Sequence, residues 1–100
     1  MPARVVFRPN AEADLDGIYD HIARDSRKNA IEFTRRIREQ CNRLSDFPFR
    51  GTRRDDLEPG LRTIGMEHRV TIAFRVLDQD FVEILRIVYG GRELERMFGA

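Results

Sequence analysis

The chain of 100 residues predicts an α+β fold in the order β-α-α-β-β-β-α: an N-terminal strand, an antiparallel helical hairpin packed on a small, mostly antiparallel sheet, and a short C-terminal helix. Three observations carry that expectation. Apolar residues recur at helical spacing from Ala11 to Ile22 and again from Ala30 to Leu44, with few residues between the two runs. After Leu61 the period changes to two, with Val70, Ile72, Phe74 and Val76 alternating with Arg69, Thr71, Ala73 and Arg75. Between Phe81 and Tyr89, the residues Val82, Ile84, Leu85, Ile87 and Val88 leave Arg86 as the only polar residue in the second half of a strand, which predicts cover on both faces.

Arg4 to Arg8 reads as a short strand that Pro9 stops. Asn10 is the expected N-cap of the first helix, with Glu12 and Asp14 in its first turn, where the helix dipole favours acids. Ala11, Leu15, Ile18 and Ile22 make its apolar stripe, with Tyr19 at the flank, and the helix should end near Arg24. Ser26 then caps a longer helix that carries Ala30, Phe33, Ile37, Cys41 and Leu44 on one face. So short a connection folds the two helices back as a hairpin. Arg35, Arg36, Arg38 and Glu39 read as its solvated face.

The segment from Asp46 to Gly60 breaks the periodicity with Pro48, Gly51, Pro59 and Gly60, and reads as an ordered connection. Its Arg50, Arg53 and Arg54 are largely cancelled by Asp55, Asp56 and Glu58. Strands follow at Leu61 to Met66, Val70 to Leu77 and Phe81 to Tyr89, with hairpin connections at Glu67-His68 and from Leu77 to Asp80. Gly90-Gly91 then breaks the last strand, and a short helix opens with Arg92 and shows Leu94, Met97 and Phe98 on one edge. A chain of this length is expected to form one domain over residues 1–100.

Composition narrows the functional classes. A formal net charge of +1 and a pI near 8.0 give no general attraction to polyanions. Lys28 is the only lysine, so phosphate contacts fall mainly to arginines, which hardly deprotonate. Cys41 is a lone thiol at core spacing, which excludes a disulfide framework and points to a reducing compartment, the cytoplasm. No apolar stretch reaches membrane-spanning length and no signal peptide precedes the first strand, so no membrane partner is expected. Two distant histidines and one cysteine give no metal-ligand pattern, and Asp14, Asp16 and Asp20 read as dipole partners; neither metal nor cofactor is expected. Phosphate-cradling and nucleophile-elbow motifs are also missing from the sequence.

Metal-free acid-base chemistry has few candidates. Attack by an RNA 2′-OH needs a base, an acid for the leaving oxygen, and cations for the developing charge. His68 at a hairpin, Arg75 on a strand and Tyr89 at a strand end could supply these if they met on one sheet face. His21 reads as a helix-surface residue. Tyr89 and Arg92, side by side where the sheet meets solvent, have two readings: a half-core ring beside a helix opener, or a contact for protein or nucleic acid.

The segments RPNAEADLDGIYDHI, CNRLSDFPFRG, LEPGLRTI, VTIAFRVLDQDFVEILRIV and YGGREL, in this order and spacing, resemble the ParE/RelE superfamily of bacterial type II toxins. The resemblance covers almost the whole chain. It implies a compact toxin neutralised by an antitoxin that wraps around it. The pattern of Ala11, Asp14, Leu15 and Ile18, the loop from Pro48 to Gly51, and the ending Gly90, Gly91, Arg92 and Glu93 look more like the ParE branch than the RelE branch. Tyr89 and Glu93 depart from it, standing where ParE-like chains commonly have His and Asp.

ParE-like toxins poison DNA gyrase without a recognised catalytic constellation, so the resemblance implies a non-enzymatic block of replication and a ParD-like antitoxin partner. Tyr89, Arg92, Leu94, Met97 and Phe98 are the candidate target contacts. Tyr19 and Phe33, as apolar helix residues left uncovered by the sheet, are candidate antitoxin contacts, and an exposed sheet edge could accept an added strand. The alternative implied by the RelE branch is a ribosome-dependent mRNA endonuclease, with His68 or Tyr89 in proton transfer and Arg75 or Arg92 on the phosphate. A third reading is a non-toxic binding partner of an antitoxin.

Overall fold

The computed structural model describes residues 3–78, 80–90 and 94–98. Strand β1 (Arg4–Phe7) stops short of Pro9, and that same proline opens helix α1 (Pro9–Ala23), where its fixed φ suits the first turn. Asn10 therefore lies inside the helix and is not its cap. The cap position falls to Arg8, whose backbone is extended and whose side chain makes no capping hydrogen bond. Ser26 does cap helix α2 (Arg27–Asn42), its hydroxyl accepting the Asn29 N–H at 3.1 Å.

Arg38 of α2 ties the hairpin to the sheet. It donates to both Glu12 carboxylate oxygens at 3.0 and 2.8 Å, and its guanidinium lies 5.3 Å from the centroid of the Phe7 ring. The hydrogen bond from Arg38 holds the Glu12 carboxyl below the ordinary carboxylate range.

After a 3₁₀ turn (Arg43–Ser45), the long connection contributes a strand that periodicity could not show, β2 (Thr52–Arg53). It is followed by β3 (Leu61–Met66), β4 (Val70–Leu77) and β5 (Phe81–Tyr89). The five strands lie in the order β1-β5-β4-β3-β2, with β1 parallel to β5 and the other pairs antiparallel. The β3–β4 connection turns on Glu67 and His68, both at positive φ (52° and 58°), and the Arg69 N–H closes the turn on the Met66 carbonyl at 3.1 Å, with Met66 and Val70 as the first strand pair.

Helix α3 (Leu94–Phe98) and the helical hairpin cover opposite faces of this sheet. On the hairpin side, Leu15, Ile18, Phe33, Ile37, Cys41 and Leu44 pack against Ile72, Phe74, Val82, Ile84 and Ile87. Burial pushes the Cys41 thiol up to about 12, as suits an inert core residue. On the other side, Leu61, Ala73, Val88 and Leu94 form a smaller core, with Leu57, Leu85, Met97 and Phe98 packed around it. Strand β5 thus contributes to both cores, as its nearly continuous apolar run predicts.

One irregularity fixes how α1 meets β5. Ala73 stands opposite Arg86 while Phe74 stands opposite Ile84, so Leu85 is the extra residue of a β-bulge. The parallel pairing with β1 ends at Ile84. Beyond it Asp14 takes the place of a neighbouring strand, accepting the Ile87 N–H at 2.8 Å and the Arg86 Nε and Nη2 donors at 2.8 and 2.9 Å. Asp14, expected as a dipole partner, is instead a clamp between helix and bulge. Among the described residues no helix is long and apolar enough to cross a membrane.

Candidate protein-contact surface

Tyr89 ends β5 opposite Val70 and turns its ring toward the helical hairpin. The ring centroid lies 5.7 Å from His21 and 6.0 Å from Phe33, which it meets edge-on at 88°. With 38% of its surface exposed, Tyr89 is a partly open member of an aromatic cluster. His21 belongs to the cluster because it follows Ile18 by one helical turn and so shares the edge of the apolar stripe. That spacing was the available signal for a residue otherwise read as surface.

Two hollows flank this cluster. The first, about 400 Å³, lies between the hairpin and the β3–β4 turn, with Asn29, Arg36 and Arg69 on its polar side and His21, Phe33 and Tyr89 on its aromatic side. Arg36 is positioned by Glu67, to which it donates at 2.8 and 3.0 Å, and it also covers the Phe33 ring at 5.3 Å. The same hydrogen bond holds the Glu67 carboxyl below its ordinary range. The second hollow, about 260 Å³, opens where Gly17 of α1 has no side chain, and it is bordered by His21, Tyr89 and Met97. Tyr89 and His21 therefore separate the two hollows, and α3 reaches the second through Met97.

The remaining candidates fall at different depths. Met97 and Phe98 are half-buried and line a third hollow of about 420 Å³ with Arg8, Arg75 and Arg86. Leu94 is only 6% exposed, inside the smaller core, which removes it from the surface contacts. Phe33 is likewise not left uncovered: it is 3% exposed beneath Tyr89 and Arg36, whereas Tyr19 is half-buried. Arg92 lies outside the described residues. His68 is exposed in its turn, near the Tyr89 end of β4. Arg75 pairs across the ladder with Glu83, toward the other end of β4, and donates to its carboxylate at 2.9 Å. By the alternation of β4, Arg75 shares the face of Ala73 in the smaller core, while Tyr89 packs on the hairpin side. His68, Arg75 and Tyr89 are not brought together.

Residues 5–94 match the family described as ParE toxin of type II toxin-antitoxin system, parDE. The chain is 34% identical over 97 residues to Toxin ParE3 of Caulobacter vibrioides, a match covering 96% of this chain and 95% of that protein. The solved chromosomal ParDE TA system from P. aeruginosa overlays it with a TM-score of 0.76 at 31% identity, covering 89% of this chain and 97% of the other. The toxin-antitoxin complex RelBE2 from Mycobacterium tuberculosis shares the fold, with a TM-score of 0.55 at 23% identity over 89% of this chain and 99% of that one. The five-stranded sheet, the helical hairpin and these relatives agree: the chain belongs to the ParE family of toxins of type II toxin-antitoxin systems.

Proposed function

We propose that this toxin acts in the cytoplasm by binding DNA gyrase and blocking replication, and that a ParD-like antitoxin neutralises it by covering its contact surfaces. The observation that carries this reading is the placement of Tyr89. Its ring is packed against His21 and Phe33 in a partly open aromatic surface, away from Arg75, in the manner of a contact residue. Similarity above 30% to ParE3 and to the ParDE toxin, against 23% for the RelBE2 chain, supports the same branch. Tyr89, Met97 and Phe98 are the target contacts, together with Arg92, and Tyr19 with the hollow beside Phe33 receives antitoxin.

Expression without antitoxin tests this directly. Replication stops and a DNA-damage response follows while translation continues; intact DNA with immediate loss of translation would sink the gyrase reading. Tyr89→Phe, which keeps the ring and removes only the hydroxyl, retains toxicity, whereas Tyr89→Ala loses most of it. Cuts inside codons that vanish in Tyr89→Phe would identify an mRNA endonuclease instead.

A further inference from the structure

The sheet has an open edge whose geometry follows from one hydrogen bond. The Leu61 carbonyl accepts the Arg54 N–H at 2.8 Å, on the side of β3 away from β4. Because strand groups alternate with a period of two, Thr63 and Gly65 also turn their backbone groups to that side. Strand β2 reaches only Arg62 and Thr63, so among the described residues no strand adjoins Ile64, Gly65 and Met66 there. The opposite edge is less open: Ala3 N–H bonds the Ser45 carbonyl at 2.9 Å, and Arg38 lies over Phe7.

Gly65 is the informative residue. It is exposed, it does not occupy the left-handed region, and among the described residues a Cβ built on it would meet only the Val70 carbonyl oxygen, at an ordinary 3.9 Å. Nothing among the described residues calls for glycine there. Glycine inside a strand weakens it; it marks a bulge, a bend or the close approach of another backbone, and the β3–β4 register runs through Gly65 without a bulge.

The surroundings specify what approaches. Phe47 and Phe49, 63% and 61% exposed, stand on the loop that enters β2 at Gly51, whose Cβ position lies 3.5 Å from the Ile64 side chain. Arg62 holds Phe49 outward, donating to its carbonyl at 3.0 Å and covering its ring at 5.4 Å. Glu39 and Glu67 beside this edge are already engaged by Arg35 and Arg36, while Arg43 and Arg50 have no acidic partner among the described residues. Only Asp46 opposes them nearby in the chain.

We propose that the outer edge of β3 at Gly65, beyond the loop that carries Phe47 and Phe49, takes an extended acidic segment of the antitoxin as an added strand. This rests on the reading of the chain as an antitoxin-neutralised toxin. The test uses the whole toxin with the antitoxin encoded beside it. In Gly65→Val the free toxin keeps or raises its thermal midpoint, since valine suits a strand better, while the antitoxin dissociation constant rises by about tenfold or more. Phe47→Ser with Phe49→Ser weakens binding in the same direction, and hydrogen exchange at the wild-type Gly65 amide slows by about tenfold or more in the complex. A tight wild-type complex with Gly65 unprotected and Gly65→Val binding equally well overturns the edge proposal alone. Failure of the wild-type toxin to bind that antitoxin overturns the reading beneath it. A wild-type dimer that dissociates in Gly65→Val would assign the edge to a second copy and overturn the antitoxin assignment.

Discussion

Gly51 and Gly90 hold nearly the same backbone angle, φ of 84° and 82°, yet the chain needs them to different degrees. A side chain at either residue would be strained by the left-handed conformation alone. At Gly51 a Cβ would also fall 2.3 Å from the Thr63 carbonyl oxygen, a backbone atom that cannot swing aside without disturbing the β2–β3 pairing. At Gly90 it would meet nothing within 4 Å among the described residues. Gly51→Ala is therefore expected to lower unfolding stability by about 3 kcal/mol and Gly90→Ala by only about 1 kcal/mol. Urea titration of the two variants decides it: equal small losses would mean that the loop before β2 readjusts freely. The distinction could not be read in the sequence, where both glycines mark only a break in periodicity.

At the scale of elements, the clamp at Asp14 is the contact on which the α1–β5 junction most depends. Its carboxylate is only 15% exposed and satisfies both Arg86 and the Ile87 N–H beside the bulge. Asp14→Ala leaves a half-buried guanidinium and a backbone donor without that acceptor, and the expected loss is roughly 2–4 kcal/mol in denaturant unfolding. Asp14→Asn, which keeps an oxygen for Ile87 but not the charge for Arg86, should lose less; a loss below about 0.5 kcal/mol in both variants would show that water replaces the clamp. Strand β4 and both long helices were legible from their periods, β5 from its nearly continuous apolar run, and β1, β3 and the C-terminal helix from the proline and glycine breaks that bound them. The rest depends on partners distant in the chain. Two residues of β2 form a strand only because β3 lies beside them, and Pro9 outcompetes Asn10 for the helix start because its ring already has helical φ. Asp14 gains its role from a bulge at Leu85 that no local pattern announces. The candidate surface divides in the same way. Tyr89 at a strand end was visible, but its packing on His21 and Phe33, and the burial of Phe33 and Leu94, follow from which sheet face each element covers.

For the whole molecule, the sheet divides the interior into two cores of unequal strength, and this sets which part opens first. The hairpin core joins both long helices to the centre of the sheet, whereas the smaller one is closed by a five-residue helix too short to be stable alone. Helix α3 is held mainly by Leu94, with Met97 and Phe98 at its margin and Glu95 3.5 Å from Arg54. Leu94→Ala should therefore release α3 locally, with amides of residues 94–98 losing protection from hydrogen exchange while those of α2 and β4 keep theirs. Ile37→Ala, in the larger core, should instead lower protection throughout by about 2–5 kcal/mol, because its loss is felt only on global unfolding. If Met97 and Phe98 meet the target, Leu94→Ala also loses toxicity while retaining the antitoxin, since the hairpin face and the β3 edge remain folded. Uniform loss of protection in Leu94→Ala would make the chain one cooperative unit, and any loss of toxicity would then report stability instead of the contact surface.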